Sequence, residues 1–150
     1  MKSSLINYPP LYFFLCIFFC AFSFLIFPDY VLISFPFNLI GIFPVAIGYI
    51  MLKRASKLFD EEETTFYVEE QPSKFITEGI FKQSRNPMYL GAVVLIIGQA
   101  FIVGNFIGFI APILFFLVMD CLCIPVEERI MEETFGKDYL NYKKRVRRWL

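Results

Sequence analysis

Four long apolar runs leave this 150-residue chain one kind of solvent to fold in. They extend from Leu11 to Phe27, Val31 to Leu52, about Met88 to Val103, and Phe106 to Val126. Runs of this length, uncharged except for Asp120 in the last, predict helices that cross a bilayer. With 57% hydrophobic residues and 20 phenylalanines, too much apolar side chain is present for a soluble fold of this size. Mean hydropathy is +0.60. Lys2 precedes the first run, but no small-residue cleavage site follows it, so the run reads as a retained helix and not a signal peptide. Pro36 and Pro44 in the second run predict a kink there. Gly104-Asn105 between the last two runs is a tight-turn signal, which makes that pair a helical hairpin. The hairpin's first arm is short for a span, about 24 Å at 1.5 Å per residue. The expectation is one all-α integral membrane domain over residues 1–150 with four transmembrane helices, a loop at 53–86 and a tail at 127–150.

Charge sets the orientation. Six basic residues lie in the central loop (Lys53, Arg54, Lys57, Lys74, Lys82, Arg85) and seven in the tail, while the connections at Asp29 and Asn105 carry none. The positive-inside rule then places both termini, the loop and the tail in the cytosol. Composition also excludes chemistry. Without histidine there is no imidazole base, no histidine metal ligand and no Ser-His-Asp triad. Fourteen basic residues balance fourteen acidic ones, which argues against nucleic-acid binding. All four cysteines lie in apolar runs, where a thiol acts as a small hydrophobe. The acidic clusters Asp60 to Glu63 and Glu69-Glu70 read as solvated surface.

In the tail, Tyr139, Tyr142, Val146 and Trp149 fall on one helical face among Lys143, Lys144, Arg145, Arg147 and Arg148. That pattern predicts an amphipathic C-terminal helix lying at the lipid headgroups, either as an anchor or as a lid. Asp120 is an ionisable residue inside an apolar run and therefore a functional suspect. It either shares a helix face with Glu127 toward a cavity or meets Gln99 across the hairpin.

Two polar stretches flank the hairpin: Thr77 to Gly91 before it, and Glu127-Glu128-Arg129 followed by Phe135-Gly136 and Tyr139 to Trp149 after it. A two-helix hairpin returns its ends to one side, so these stretches can meet. Together they offer carboxylates, an arginine, an asparagine and aromatic rings, a mixture suited to a cationic ligand such as an ammonium or sulfonium.

The Arg85-Asn86-Pro87-Met88-Tyr89-Leu90-Gly91 core and the Glu-Glu, Phe-Gly, Tyr, Tyr, Arg-Val, Arg-Trp tail resemble the signatures of the isoprenylcysteine carboxyl methyltransferase family and its small bacterial relatives. The two blocks cover about a quarter of the chain. The resemblance implies a membrane methyltransferase that uses S-adenosyl-L-methionine, in a bacterial inner membrane. It further implies cofactor contacts at Ser73, Lys74, Phe75, Ile76, Phe81, Asn86, Pro87, Met88, Tyr89 and Glu127, with Glu127 facing the methionyl ammonium. Asn86 stands where eukaryotic members carry histidine, and Phe81 where the family usually has tyrosine. Cys123 stands four residues before Glu127, where the prenylcysteine enzymes place an arginine on the substrate carboxylate. The prenylcysteine substrate is therefore not carried over, although Arg85 or a tail arginine could substitute.

Methyl transfer from a sulfonium suits a chain without histidine, because the protein's main task is in-line alignment. A thiolate or carboxylate acceptor needs no strong base. The acceptor expected is a small lipophilic or lipid-linked molecule reached from the membrane lipids. Phospholipid amine methylation and a non-catalytic transporter or scaffold are the alternatives.

Overall fold

The computed structural model describes residues 8–61 and 75–150. Among the described residues all regular structure is helical, apart from an isolated antiparallel bridge between Val31 and Asn105. Helix α1 spans Pro9–Ile26, α2 Ile42–Glu61, α3 Pro87–Val103, α4 Ile110–Val118 and α5 Ile124–Arg145. A 3-10 turn at Phe37–Gly41 leads into α2. Another, at Phe106–Phe109, leads into α4, and a π-helical turn at Met119–Cys123 joins α4 to α5. Three helical stretches, Pro9–Ile26, Phe37–Glu61 and Phe106–Arg145, are long and apolar enough to cross a membrane, and Pro87–Val103 is a shorter apolar helix. The apolar part of the third stretch ends at Val126, before Glu127.

The second apolar run departs from its expected limits at both ends. Residues 31–36 are not helical, and the Phe35–Pro36 peptide is cis. The helix then continues past Lys53-Arg54 to Glu61. Pro44 lies in the first turn of α2, where a missing N–H removes no helical hydrogen bond, so it starts the helix instead of kinking it.

Two glycine pairs bring α3 against the second pass. A Cβ on Gly48 would stand 2.5 Å from the Gly91 carbonyl oxygen, and one on Gly41 would stand 2.3 Å from that of Gly98. The backbones touch, as helices in lipid do when association depends on close packing. A second contact set joins α1, α3 and α4 through Cys20, Ala92, Ile96, Ala100, Ala111, Phe115 and Met119. Cysteine here fills space like a small hydrophobe, as its position in an apolar run predicts. Only 11% of α1's apolar window is buried, which leaves Phe14, Phe18 and Phe22 facing outward, an arrangement suited to lipid as the solvent.

The hairpin turn forms as its Gly-Asn signal predicts. Gly104 takes the left-handed conformation (φ 69°) that ends α3. Its carbonyl accepts from the amides of Leu32 and Ile33 at 2.8 and 3.0 Å. Asn105 is fully buried: its Nδ2 donates to the Phe27 carbonyl at 2.7 Å and its Oδ1 accepts from the Ile107 amide at 2.9 Å. The link between α1 and α2 is thereby stitched to the hairpin, and the opposite end of the molecule is left for the polar residues.

A candidate cofactor site at the open end of the hairpin

The last helix reverses on itself. A straight helix from Glu128 to Lys143 would separate the two by about 22 Å, yet Lys143 Nζ lies 3.0 Å from Glu128 Oε2. The reversal occurs at Gly136 (φ 53°, ψ −123°), a conformation that essentially only glycine adopts. Past it, Tyr139 and Tyr142 are turned inward and are 5% and 4% exposed. Phe75 packs against both rings, with centroids 5.9 Å away, and against Phe135 at 4.9 Å. The helix ends at Arg145, and Val146 is extended (φ −120°, ψ 132°), so Val146 and Trp149 do not continue the helical face of the two tyrosines. Residues 146–150 instead form a strap.

The strap lies across the segment that opens α3. The Arg85 amide donates to the Arg147 carbonyl at 3.0 Å. Ser84 Oγ and Asn86 Nδ2 both donate to the Arg148 carbonyl, at 3.2 and 3.1 Å. Asn86 sits at the N-cap position of α3 but makes no capping bond with its side chain, whose Nδ2 is turned to the strap. Pro87, fully buried, takes the first helical position, where proline fits.

Glu128 is the hub of the charge network. Arg85 Nη2 forms an ion pair with its Oε1 at 3.0 Å, Oε1 also accepts from Arg148 Nε at 3.2 Å, and its Oε2 accepts from Arg148 Nη2 and Lys143 Nζ, each at 3.0 Å. Lys143 also reaches Glu132 at 2.7 Å. Arg148 Nη1 and Trp149 Nε1 both donate to Asp120 Oδ1, at 3.0 and 2.9 Å. Burial pushes the Glu128 carboxyl up, but the bonds from Arg148 and Lys143 and the Arg85 charge outweigh it and hold the group below the usual carboxylate range. Arg148 is in turn held above its ordinary value, first by its bonds to Glu128.

Glu127 differs. Tyr89 donates its hydroxyl to Glu127 Oε1, and no cation among the described residues pairs with that carboxylate. Burial pushes it up to about 7, against the pull of the Tyr89 hydroxyl, with the Glu128 charge adding to the rise. Elsewhere in the cluster Asp120, Glu128 and Glu132 are matched by Arg85, Lys143 and Arg148. One carboxylate is therefore left uncompensated. Two guanidinium nitrogens of Arg85, Nε and Nη1, are buried without a hydrogen-bond partner.

The hairpin thus brings Asn86, Tyr89 and Glu127 to one end, beside Arg85. Ile76, Phe81 and Met88 gather separately with Ala55, Leu58 and Phe59 of α2, joined to the last helix where Tyr142 Oη donates to the Phe81 carbonyl at 2.7 Å. Ser73 and Lys74 lie outside the described residues. Asp120 follows neither expected course: it holds Arg148 and Trp149, while Gln99 Nε2 donates to the Ile17 carbonyl at 3.0 Å. Trp149 packs on Phe116 at 4.7 Å between centroids. Arg148 as the clamp on two carboxylates had no signal of its own in a tail crowded with cations. Cys123 is buried in the core, one turn from Asp120.

Residues 37–138 match the phospholipid methyltransferase family. Protein-S-isoprenylcysteine O-methyltransferase B of Arabidopsis thaliana is 31% identical over 77 residues, which is 51% of this chain and 39% of that protein. An uncharacterized protein of Haemophilus influenzae is 36% identical over 63 residues, 42% of this chain and the whole of that protein. The matched segment runs through α2, α3, α4 and most of α5, so it contains the first polar block, the hairpin and the second block as far as Gly136, and stops before Tyr139. On that match the chain belongs to the phospholipid methyltransferase family, a family of membrane methyltransferases.

Proposed function

We propose that this protein is an S-adenosyl-L-methionine-dependent methyltransferase whose site is the open end of the hairpin. The observation that carries the reading is Glu127, a half-buried carboxylate held by a neutral tyrosine while its neighbours are paired with cations. A largely desolvated, uncompensated carboxylate favours a cationic guest. The cofactor's amino-acid end carries an ammonium, which Glu127 suits, and a carboxylate, which the two unfilled donors of Arg85 suit. Asn86 and Pro87 complete the proposed lining; the further contacts proposed from the family resemblance are Phe75, Ile76, Phe81 and Met88, which are gathered against α2 and the last helix, and Ser73 and Lys74.

S-adenosylmethionine supplies a methyl group already activated on sulfur. The protein's part is to hold and align. Tyr89 fixes the Glu127 carboxylate, and Arg85, itself held by Glu128, fixes the opposite charge. The strap, clamped by Arg148 and Trp149, covers the segment that opens α3 and keeps water from it. A thiolate acceptor requires no proton to be removed, whereas an amine acceptor would pass one to water, since Glu127 faces the cofactor and Glu128 is paired with cations.

The acceptor proposed is a small lipophilic or lipid-linked molecule entering from the bilayer, with both termini in the cytosol of a bacterial cell and four helices crossing its inner membrane. Cys123 offers no charge for an acceptor carboxylate, and Arg148 has its donors committed to Asp120 and Glu128. The family match supports a second reading, phospholipid amine N-methylation. Calorimetric titration of detergent-solubilised protein with S-adenosylhomocysteine tests the cofactor; no binding by folded protein overturns it. Transfer of labelled methyl groups into the organic extract tests the acceptor class, and feeding phosphatidylethanolamine separates the two readings.

A further inference from the structure

A cavity of about 370 Å³ opens beside the reversed helix, lined by Thr77, Lys82, Tyr142, Arg145 and Val146. Its two walls come from separate parts of the chain, the turn before α3 and the end of α5. The bond from Tyr142 Oη to the Phe81 carbonyl, 2.7 Å long, holds them together. Lys82 and Arg145 therefore face one shared space. Among the described residues neither is paired with a carboxylate, whereas Lys143, on the same helix as Arg145, engages two. Arg145 Nε donates to the Asn141 carbonyl at 3.3 Å, which leaves both terminal nitrogens of its guanidinium available. Two like charges around one cavity repel unless an anion lies between them.

We infer that this cavity binds the phosphate of an anionic membrane lipid, with Lys82 and Arg145 on its oxygens and the Thr77 hydroxyl as a further donor. A guanidinium and an ammonium suit phosphate by charge and by hydrogen-bond geometry. The volume lies near the lower end of the roughly 300–1,000 Å³ range of small-ligand sites, enough for a headgroup. The Tyr142 ring and Val146 give it an apolar wall for the glycerol carbons. Lys82 stands five residues before α3 leaves for the apolar layer, where a headgroup would lie. The inference does not rest on methyl transfer: a phosphate held here would tether lipid beside the site whatever the acceptor.

The test is native mass spectrometry of the full-length protein in detergent, titrated with dioleoylphosphatidylglycerol, dioleoylphosphatidylcholine or inorganic phosphate. The wild type is expected to retain phosphatidylglycerol in preference to phosphatidylcholine. The double variant Lys82→Gln/Arg145→Gln is expected to bind phosphatidylglycerol about 10-fold more weakly, Lys82→Arg to keep it, and Lys137→Gln/Lys144→Gln, an equal charge loss on exposed residues, to leave it unchanged. Equal loss in both double variants, or no preference between the lipids, overturns the site. Displacement by an equal concentration of inorganic phosphate overturns the lipid assignment. If the groove double variant unfolds, the single variants Lys82→Gln and Arg145→Gln decide by the same comparison.

Discussion

The chain reverses direction at two glycines with positive φ, Gly104 and Gly136, and the two reversals are built differently. At Gly104 the turn is sealed: a Cβ there would meet the Ile33 carbonyl oxygen at 2.1 Å, and neutral amides and carbonyls make the surrounding bonds. At Gly136 a Cβ would meet nothing within 4 Å. The chain after that bend is held by two inward-turned tyrosines and by charge, with Glu128 at the centre of the ion pairs and one carboxylate, Glu127, left over. Uncharged, packed closure makes a fixed scaffold. Closure by ion pairs around an unmatched charge makes a place for a ligand.

Each side of the contrast can be attacked. Gly104→Ala combines backbone strain with a clash against main chain and is expected to destabilise the protein most, by roughly 3–5 kcal/mol, read as a fall in thermal midpoint in detergent. Glu127→Gln should leave that midpoint in place and weaken S-adenosylhomocysteine binding by roughly 1.5–3 kcal/mol, the value of a charge-assisted hydrogen bond; unchanged affinity removes Glu127 from the site. Gly136→Ala carries strain without a clash, so about 2 kcal/mol is expected. Hydrogen exchange should rise in residues 137–150 and stay unchanged in α3; uniform exchange across both would erase the distinction.

Acidity gives a finer test. With the Glu127 carboxyl at about 7 in the ligand-free protein, the ionised form that attracts a cation is lost as pH falls through that value. Cofactor affinity should therefore rise about 10-fold from pH 6 to pH 8, following the ionised fraction of such a group, and Glu127→Gln should flatten the profile. The smallest effect belongs to Arg129→Ala. Its pair with Glu133 at 2.9 Å is an exposed i,i+4 contact, expected to contribute less than about 0.5 kcal/mol.

The sequence made the scaffold legible because its signals are local. Apolar runs mark helices, and Gly104-Asn105 interrupts two of them with a residue pair that has few uses besides a turn. The second reversal was hidden. Gly136 sits inside a helical pattern, and nothing in Phe135-Gly136-Lys137 distinguishes a bend from a tolerated glycine. Without the bend, Tyr139, Tyr142 and Trp149 read as one outward face, and the cations around them as headgroup contacts. With it, both tyrosines turn inward and Arg148 returns to Asp120, 28 residues earlier. Tyr89 and Glu127 were legible as members of two motifs, but their hydrogen bond depends on the hairpin's register, which sequence spacing alone does not fix.

That register has a particular source. The π-helical turn at Met119–Cys123 accommodates one residue more than an α-helix would over the same length. An α-helix advances about 100° per residue, so the wider turn re-aims everything beyond it relative to the buried side of α4. The same five residues wound as an uninterrupted α-helix would add about a quarter-turn of rotation. Glu127 would then swing about a quarter-turn or more away from Tyr89. The second arm of the hairpin is a two-part dial, and the five residues between its halves set where the acidic pair points.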